Sequence, residues 1–96
     1  MSSILSEIRE KARQKQEEIN ADPNATEQDK KLIADTIEFL KYEISFKKVP
    51  RSTVLALLRF IGCSESVLEL MEIYDKIIEE IDRVYILVDP EQFQSK

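Results

Sequence analysis

The residue types that most often carry chemistry are scarce in this sequence. It has no histidine and a single cysteine, Cys63, in 96 residues. Without histidine, most general-base, triad and mixed metal-site designs are unavailable. The Glu-x-x-His carboxylate sites of helical bundles are excluded too. One cysteine leaves neither a structural zinc site nor an internal disulfide, and it fits a reducing compartment. The single glycine, Gly62, leaves no glycine-rich phosphate cradle, and no Asp-x-Asp-x-Asp-Gly calcium loop is present. Cys63 precedes an expected helix start, where a lowered pKa is conceivable, but no base accompanies it. It reads better as an apolar staple against Leu68. The neighbouring carboxylates Glu79 and Glu80 fall on a charged helix face. The expectation is a protein that is not an enzyme and uses no cofactor and no metal.

What remains is patterning, and it is helical. One glycine and three prolines are too few for the tight turns of a small strand-rich fold. Four apolar stripes predict helices near 3–20, 26–45, 50–61 and 64–85. In the first, Ile4, Leu5, Ile8, Ala12 and Ile19 form a narrow face interrupted by Lys15, so this helix is expected to be the most weakly packed. Ala21-Asp22-Pro23-Asn24 is a turn, and Thr26 with Asp29 makes an incomplete capping box. The second helix carries a wide apolar face from Leu32 to Phe46, which predicts two neighbours. The third, Pro50 to Ile61, has Arg59 as its only charge after Arg51, which predicts a central position surrounded by the others. Gly62 suits the left-handed residue that ends it, and Ser64 is the expected cap of the fourth. That last helix divides cleanly, with Val67, Leu70, Met71, Ile73, Tyr74, Ile77, Ile78 and Ile81 on one half. The other half is charged, and Glu72–Lys76 and Glu79–Arg83, like Glu7–Lys11 in the first helix, are suitable i,i+4 pairs. The predicted fold is all-α, an antiparallel four-helix bundle over 1–88 with a polar C-terminal tail at 89–96. Leu40, Leu55, Leu58, Phe60 or Ile61, and Ile77 are its expected core.

Charge restricts the partners. The net charge is −5, distributed as +1 over residues 1–63 and −6 over 64–96. An acidic chain whose basic residues are interleaved with acids is a poor nucleic-acid binder. Arg9, Lys11, Arg13 and Lys15 read as a solvated face, and Lys47, Lys48 and Arg51 as a small basic corner. No stretch approaches the roughly 20 apolar residues of a membrane span. The start of the chain has neither a signal-peptide pattern nor the glycine that N-myristoylation needs, and Asn24-Ala25-Thr26 reads as turn and cap rather than a glycosylation site. A cytoplasmic location is expected.

The residue order from Asp22-Pro23-Asn24-Ala25-Thr26-Glu27-Gln28-Asp29-Lys30-Lys31-Leu32-Ile33, through Val49 and the Leu55/Leu58 helix, to Ser64-Glu65-Ser66-Val67-Leu68-Glu69-Leu70-Met71-Glu72-Ile73-Tyr74-Asp75-Lys76-Ile77 resembles a known family. It is similar to the immunity proteins of pediocin-like bacteriocins, the enterocin A immunity group, over about residues 20–80. The chain is acidic where many members are basic. The resemblance implies an antiparallel four-helix bundle in the cytoplasm of a Gram-positive producer. It also implies protection by engaging the mannose phosphotransferase permease once bacteriocin has bound there, with the C-terminal part setting specificity.

Two other classes fit the composition. One is a regulatory or inhibitory protein, phage-encoded or antitoxin-like, using the acidic last helix against a basic partner surface. The other is a structural homodimer. In each case contact does the work, by a monomer or a homodimer. Ile86 and Leu87 break the pattern of the last helix by placing apolar area on its charged side. This predicts a partner contact at Tyr85, Ile86, Leu87, Val88 and Phe93. The competing expectation is that residues 84–88 fold back and close the core.

Overall fold

Helix is the only regular structure among the described residues. The computed structural model describes residues 3–87, with side chains through Arg83. Five helices follow one another: α1 Ile4–Ala21, α2 Glu27–Leu40, α3 Ser45–Lys48, α4 Arg51–Phe60 and α5 Val67–Leu87. The all-α class is as expected, but the count is five rather than four. The tail at 89–96 lies outside the described residues.

The extra helix comes from a break that no residue type announces. The expected second helix through residue 45 stops at Leu40 instead. Its last turn tightens, with Lys41 N–H bonding Glu38 O at 3.2 Å and Tyr42 N–H bonding Phe39 O at 3.3 Å. Arg9 of α1 donates from Nε to the Leu40 carbonyl at 2.7 Å. After the corner, α3 carries Phe46, whose side chain is 0% exposed. At about 100° per residue, a straight continuation would have turned Phe46 roughly 120° away from the direction of Leu40. The break returns it to the core, where its ring meets Phe39 at 4.9 Å and a 56° tilt. Burying a phenylalanine is worth about 1.5–3 kcal/mol, enough to outweigh a few helical residues. Tyr42 and Ile44, expected on the apolar face of α2, are left exposed at the corner.

Local capping explains the other ends. Ser3 Oγ accepts from Ser6 N–H at the start of α1. Thr26 and Asp29 form the complete reciprocal box at α2, at 3.0 and 3.3 Å. The Pro50 carbonyl accepts from Thr53 and Val54 as α4 begins. Gly62 sits at φ +85. Gly62 N–H reaches Arg59 O and Cys63 N–H reaches Leu58 O, both at 3.0 Å, which is the Schellman pattern. The cap of the last helix is Ser66 rather than Ser64: Ser66 Oγ accepts from Glu69 N–H at 3.3 Å, and Ser64 Oγ instead accepts from Ser66 N–H in a local turn. Two hydroxyls two residues apart both suit a cap, and the turn fixes which one serves.

Packing reverses two expectations. α1 is not loosely held. It packs along α2 and touches α5, with Leu5, Ile8 and Ala12 almost fully buried. A narrow stripe is compatible with this burial, because stripe width measures angular coverage and not how completely the stripe is covered. Lys15 fills the gap in that stripe with its stem, its ammonium 5.9 Å from the Phe60 ring. Nor is α4 surrounded. It lies mainly on α5, burying Val54 and Leu58 while Ala56 is exposed. Leu40, Leu58, Ile61 and Ile77 are core as expected, and Leu55 and Phe60 pack against its edge. The only buried polar side chain among the described residues, Thr36, is satisfied by donating to Leu32 O at 2.7 Å.

Phe46→Ala is expected to lower unfolding free energy by about 3–5 kcal/mol and Leu58→Ala by about 2–5 kcal/mol. Tyr42→Ala should stay within about 0.5 kcal/mol. Urea titrations followed by far-ultraviolet circular dichroism read all three, and a Phe46 effect as small as that of Tyr42 would refute the account of the α2–α3 corner. Gly62→Ala should cost about 1–2 kcal/mol through the positive φ alone, because a Cβ there meets nothing within 4 Å. A neutral Gly62→Ala in the same assay would contradict the left-handed cap.

Candidate functional site

Most ion pairs lie within single helices, and a few polar contacts tie the helices to one another. Lys47 of α3 pairs with Asp82 of α5. Arg51 at the start of α4 lies 3.3 Å from Asp75 and 5.0 Å over the Tyr74 ring. Arg59 near the end of α4 donates to Glu65 O at 2.8 Å. The basic corner predicted at Lys47, Lys48 and Arg51 is therefore largely engaged with the acidic helix of the same chain. At the N-terminal end, Ile4 N–H donates to the Glu80 carboxylate at 2.8 Å. On α1, Arg13 bridges Glu10 and Glu17, and its hydrogen bond holds the Glu10 carboxyl below the ordinary glutamate value. The basic run of α1 is a laced, solvated face. None of the three expected i,i+4 pairs closes as an ion pair among the described residues. Lys31–Asp35 and Arg13–Glu17 do so instead.

Cys63 is half-buried against the core edge. It does not staple Leu68, which is 73% exposed. Burial pushes the thiol up from its ordinary value, and the nearby Lys11 charge only partly opposes this. At neutral pH the thiol is protonated and a poor nucleophile. No group of three or more His, Cys, Asp or Glu side chains is placed to hold a metal ion among the described residues. No described helix is long and apolar enough to cross a membrane.

The feature that stands apart is apolar. Between α4 and the start of α5 runs a groove of about 310 Å³ lined by Ser52, Leu55, Ala56, Arg59, Val67 and Leu70. Val67, on its lip, is 54% exposed, and the adjoining Leu68 is more exposed still. Single exposed apolar residues are ordinary, but two in succession beside an apolar groove are not. Sequence patterning assigned Val67 to the core half of its helix. It is uncovered although Ala56 and Arg59 of α4 line the same groove, since these side chains leave the groove open rather than closing over it. Leu68 could have given the signal, as a leucine on the charged half of the wheel.

The predicted contact strip is placed as follows. Tyr85, Ile86 and Leu87 belong to the last turn of α5, and their side chains lie outside the described residues, as do Val88 and Phe93 altogether. No family model, curated protein or solved structure matches the chain.

At about pH 8, Cys63 is expected to react with iodoacetamide more slowly than a free thiol and to speed up on unfolding in urea. The rate should keep rising with pH beyond the range in which an ordinary cysteine has levelled off, because its pKa is raised. Rapid native-state labelling at neutral pH would show an activated thiol instead.

Proposed function

We propose that the chain is a non-enzymatic contact protein of the pediocin-like immunity kind, acting in the cytoplasm of a bacteriocin producer. It protects the cell by engaging the bacteriocin-bound mannose phosphotransferase permease. The four longer helices are read as an antiparallel bundle, with α3 as a corner between the second and third of them. The observation that carries the contact reading is the exposed Val67–Leu68 pair beside the α4–α5 groove. It lies within Ser64–Ile77, one of the stretches on which the resemblance rests. Support also comes from the Thr26–Asp29 box, which makes Asp22–Ile33 a turn leading into a helix. In this reading Tyr85, Ile86, Leu87, Val88 and Phe93 form the second contact element.

The test is expression in a host sensitive to pediocin-like bacteriocins, with survival as the readout. The full chain should protect against at least one member of a panel. The chain truncated after Val84 should keep its melting temperature and lose protection. Failure of the full chain against the whole panel refutes the immunity function, and collapse of the truncated chain places residues 85–88 in the core.

A further inference from the structure

The groove between α4 and α5 has a charge environment as well as a shape. Its floor is apolar, from Leu55 and Leu70, and its α4 wall carries small residues, Ser52 and Ala56, one turn apart. Small residues one turn apart let another helix approach closely. On the α5 side the lip is Val67, with the exposed Leu68 next to it. From Leu68 a single ridge runs along the helix through Glu72, Asp75 and Glu79, which share a face at i, i+4, i+7 and i+11. Glu65 stands just before the lip, and Glu65, Glu72 and Glu79 are exposed. None of these three carboxylates is in an ion pair among the described residues.

The cations nearest the groove are already engaged. Arg59 is tied to the Glu65 carbonyl, and Arg51 to Asp75 and Tyr74. The surface thus offers an apolar slot bordered on one side by unneutralised acid. A second copy of the chain is a poor occupant, because two such faces would bring like charges together.

We infer that the α4–α5 groove docks a basic amphipathic helix of a partner protein. Its apolar side chains at i, i+3 or i+4 fill the slot beside Val67 and Leu68, and its Lys or Arg side chains lie along the Glu72–Glu79 ridge. The occupant is helical because the slot is a seam between two helices with a small-residue wall, which accepts a helical ridge. It is basic because Glu65, Glu72 and Glu79 are exposed beside the slot and outside any ion pair among the described residues, so a basic helix complements the border in charge. This inference rests on the contact reading above but not on bacteriocin immunity.

The probe is a synthetic amidated peptide of about 16 residues, long enough to hold helical structure. Leucines are placed at helical spacing and lysines elsewhere. Its controls are a counterpart with glutamate for lysine and a scrambled peptide of the same composition. Each is titrated into the full chain, with amide NMR shifts to locate binding and fluorescence anisotropy to measure it. The lysine peptide should bind in the micromolar range and shift amides within 52–59 and 67–72. Added salt should weaken it. The glutamate peptide should not bind, and the scrambled one should bind at least roughly tenfold more weakly. Leu68→Ser should weaken the lysine peptide by roughly tenfold. Its side chain is largely exposed, so the fold should be unaffected, and circular dichroism checks this. Glu72→Lys should weaken binding and flatten its salt dependence.

Equal binding of the scrambled peptide, shifts confined to other surfaces, or no effect of Leu68→Ser overturns the inference. So does a concentration-dependent homodimer whose interface maps to the same residues, since a second copy then fills the slot. Peptide binding without cell protection removes only the immunity function. Protection that survives Leu68→Ser, with no peptide binding, removes only the groove.

Discussion

Burial of Phe46 is the constraint on which the rest of the arrangement depends. Without the break after Leu40, the ring would point about 120° away from the side that Leu40 buries, and α3 would not form as a separate turn. The direction in which Val49 and Pro50 deliver α4 would change as well. The break carries a backbone cost, since the last carbonyls of α2 lose their intrahelical partners. That cost is met locally. Arg9 takes the Leu40 carbonyl, and the i→i+3 bonds at Lys41 and Tyr42 tighten the end. An arginine on one helix thus holds open the end of another, and the phenylalanine beyond that end is free to turn inward.

The charge asymmetry of the sequence has a structural role that its net value conceals. The acidic α5 is met by cations of the preceding elements, Lys47 on α3 and Arg51 on α4, while Arg59 donates to the Glu65 carbonyl just before it. Exposed ion pairs of this kind contribute about 0–1 kcal/mol each, so they do not hold the fold together. What they provide is orientation. Arg51 meets both Asp75 and the face of Tyr74, which pins the start of α4 against the middle of α5. Hydrophobic burial at Val54, Leu58, Ile77 and Ile81 supplies the stability, and it leaves rotation about the helix axes loosely determined. Polar straps remove that freedom. Glu72 and Glu79, on the ridge that leads from Leu68, stay outside these pairs among the described residues.

The parts legible in the sequence are those governed by local chemistry. Thr26 with Asp29, Pro50 ahead of α4 and Gly62 after it each fix a few backbone hydrogen bonds with residues close in sequence, and each appears where residue type predicts. The α2 break was not legible, because Lys41-Tyr42-Glu43-Ile44 is compatible with a helix. Phe46, within the stripe itself, is buried by the break, and Arg9, 31 residues from Leu40, takes the freed carbonyl at a distance no local pattern samples. The place of α4 was misjudged for a related reason. Apolar residues on several sides predicted neighbours on several sides, yet Ala56 and Leu55 border an open groove. Of the candidate site, Leu68 was read only as a staple for Cys63 although it lies on the charged half of the wheel, and Val67 was read as core. Whether the first residue of a helix is covered depends on how closely the neighbouring helix packs there, which residue type does not reveal.

The described surface has two places where large apolar side chains are exposed together, and they differ in origin. Tyr42 and Ile44 lie in the corner that returns Phe46 to the core. Their exposure follows from the break, since a chain crossing between helices there cannot cover every side chain it carries. Nothing comparable accounts for Leu68. It stands on the regular first turn of a long helix, where serine or glutamate would serve the fold equally well and would complete the charged half of the wheel. Packing gains nothing from leucine at that position, and solubility loses something. An exposed apolar residue that the fold explains is a by-product of architecture. One that the fold does not explain, set beside a groove with small walls and an acidic border, is where selection by contact rather than by stability is the simpler physical account.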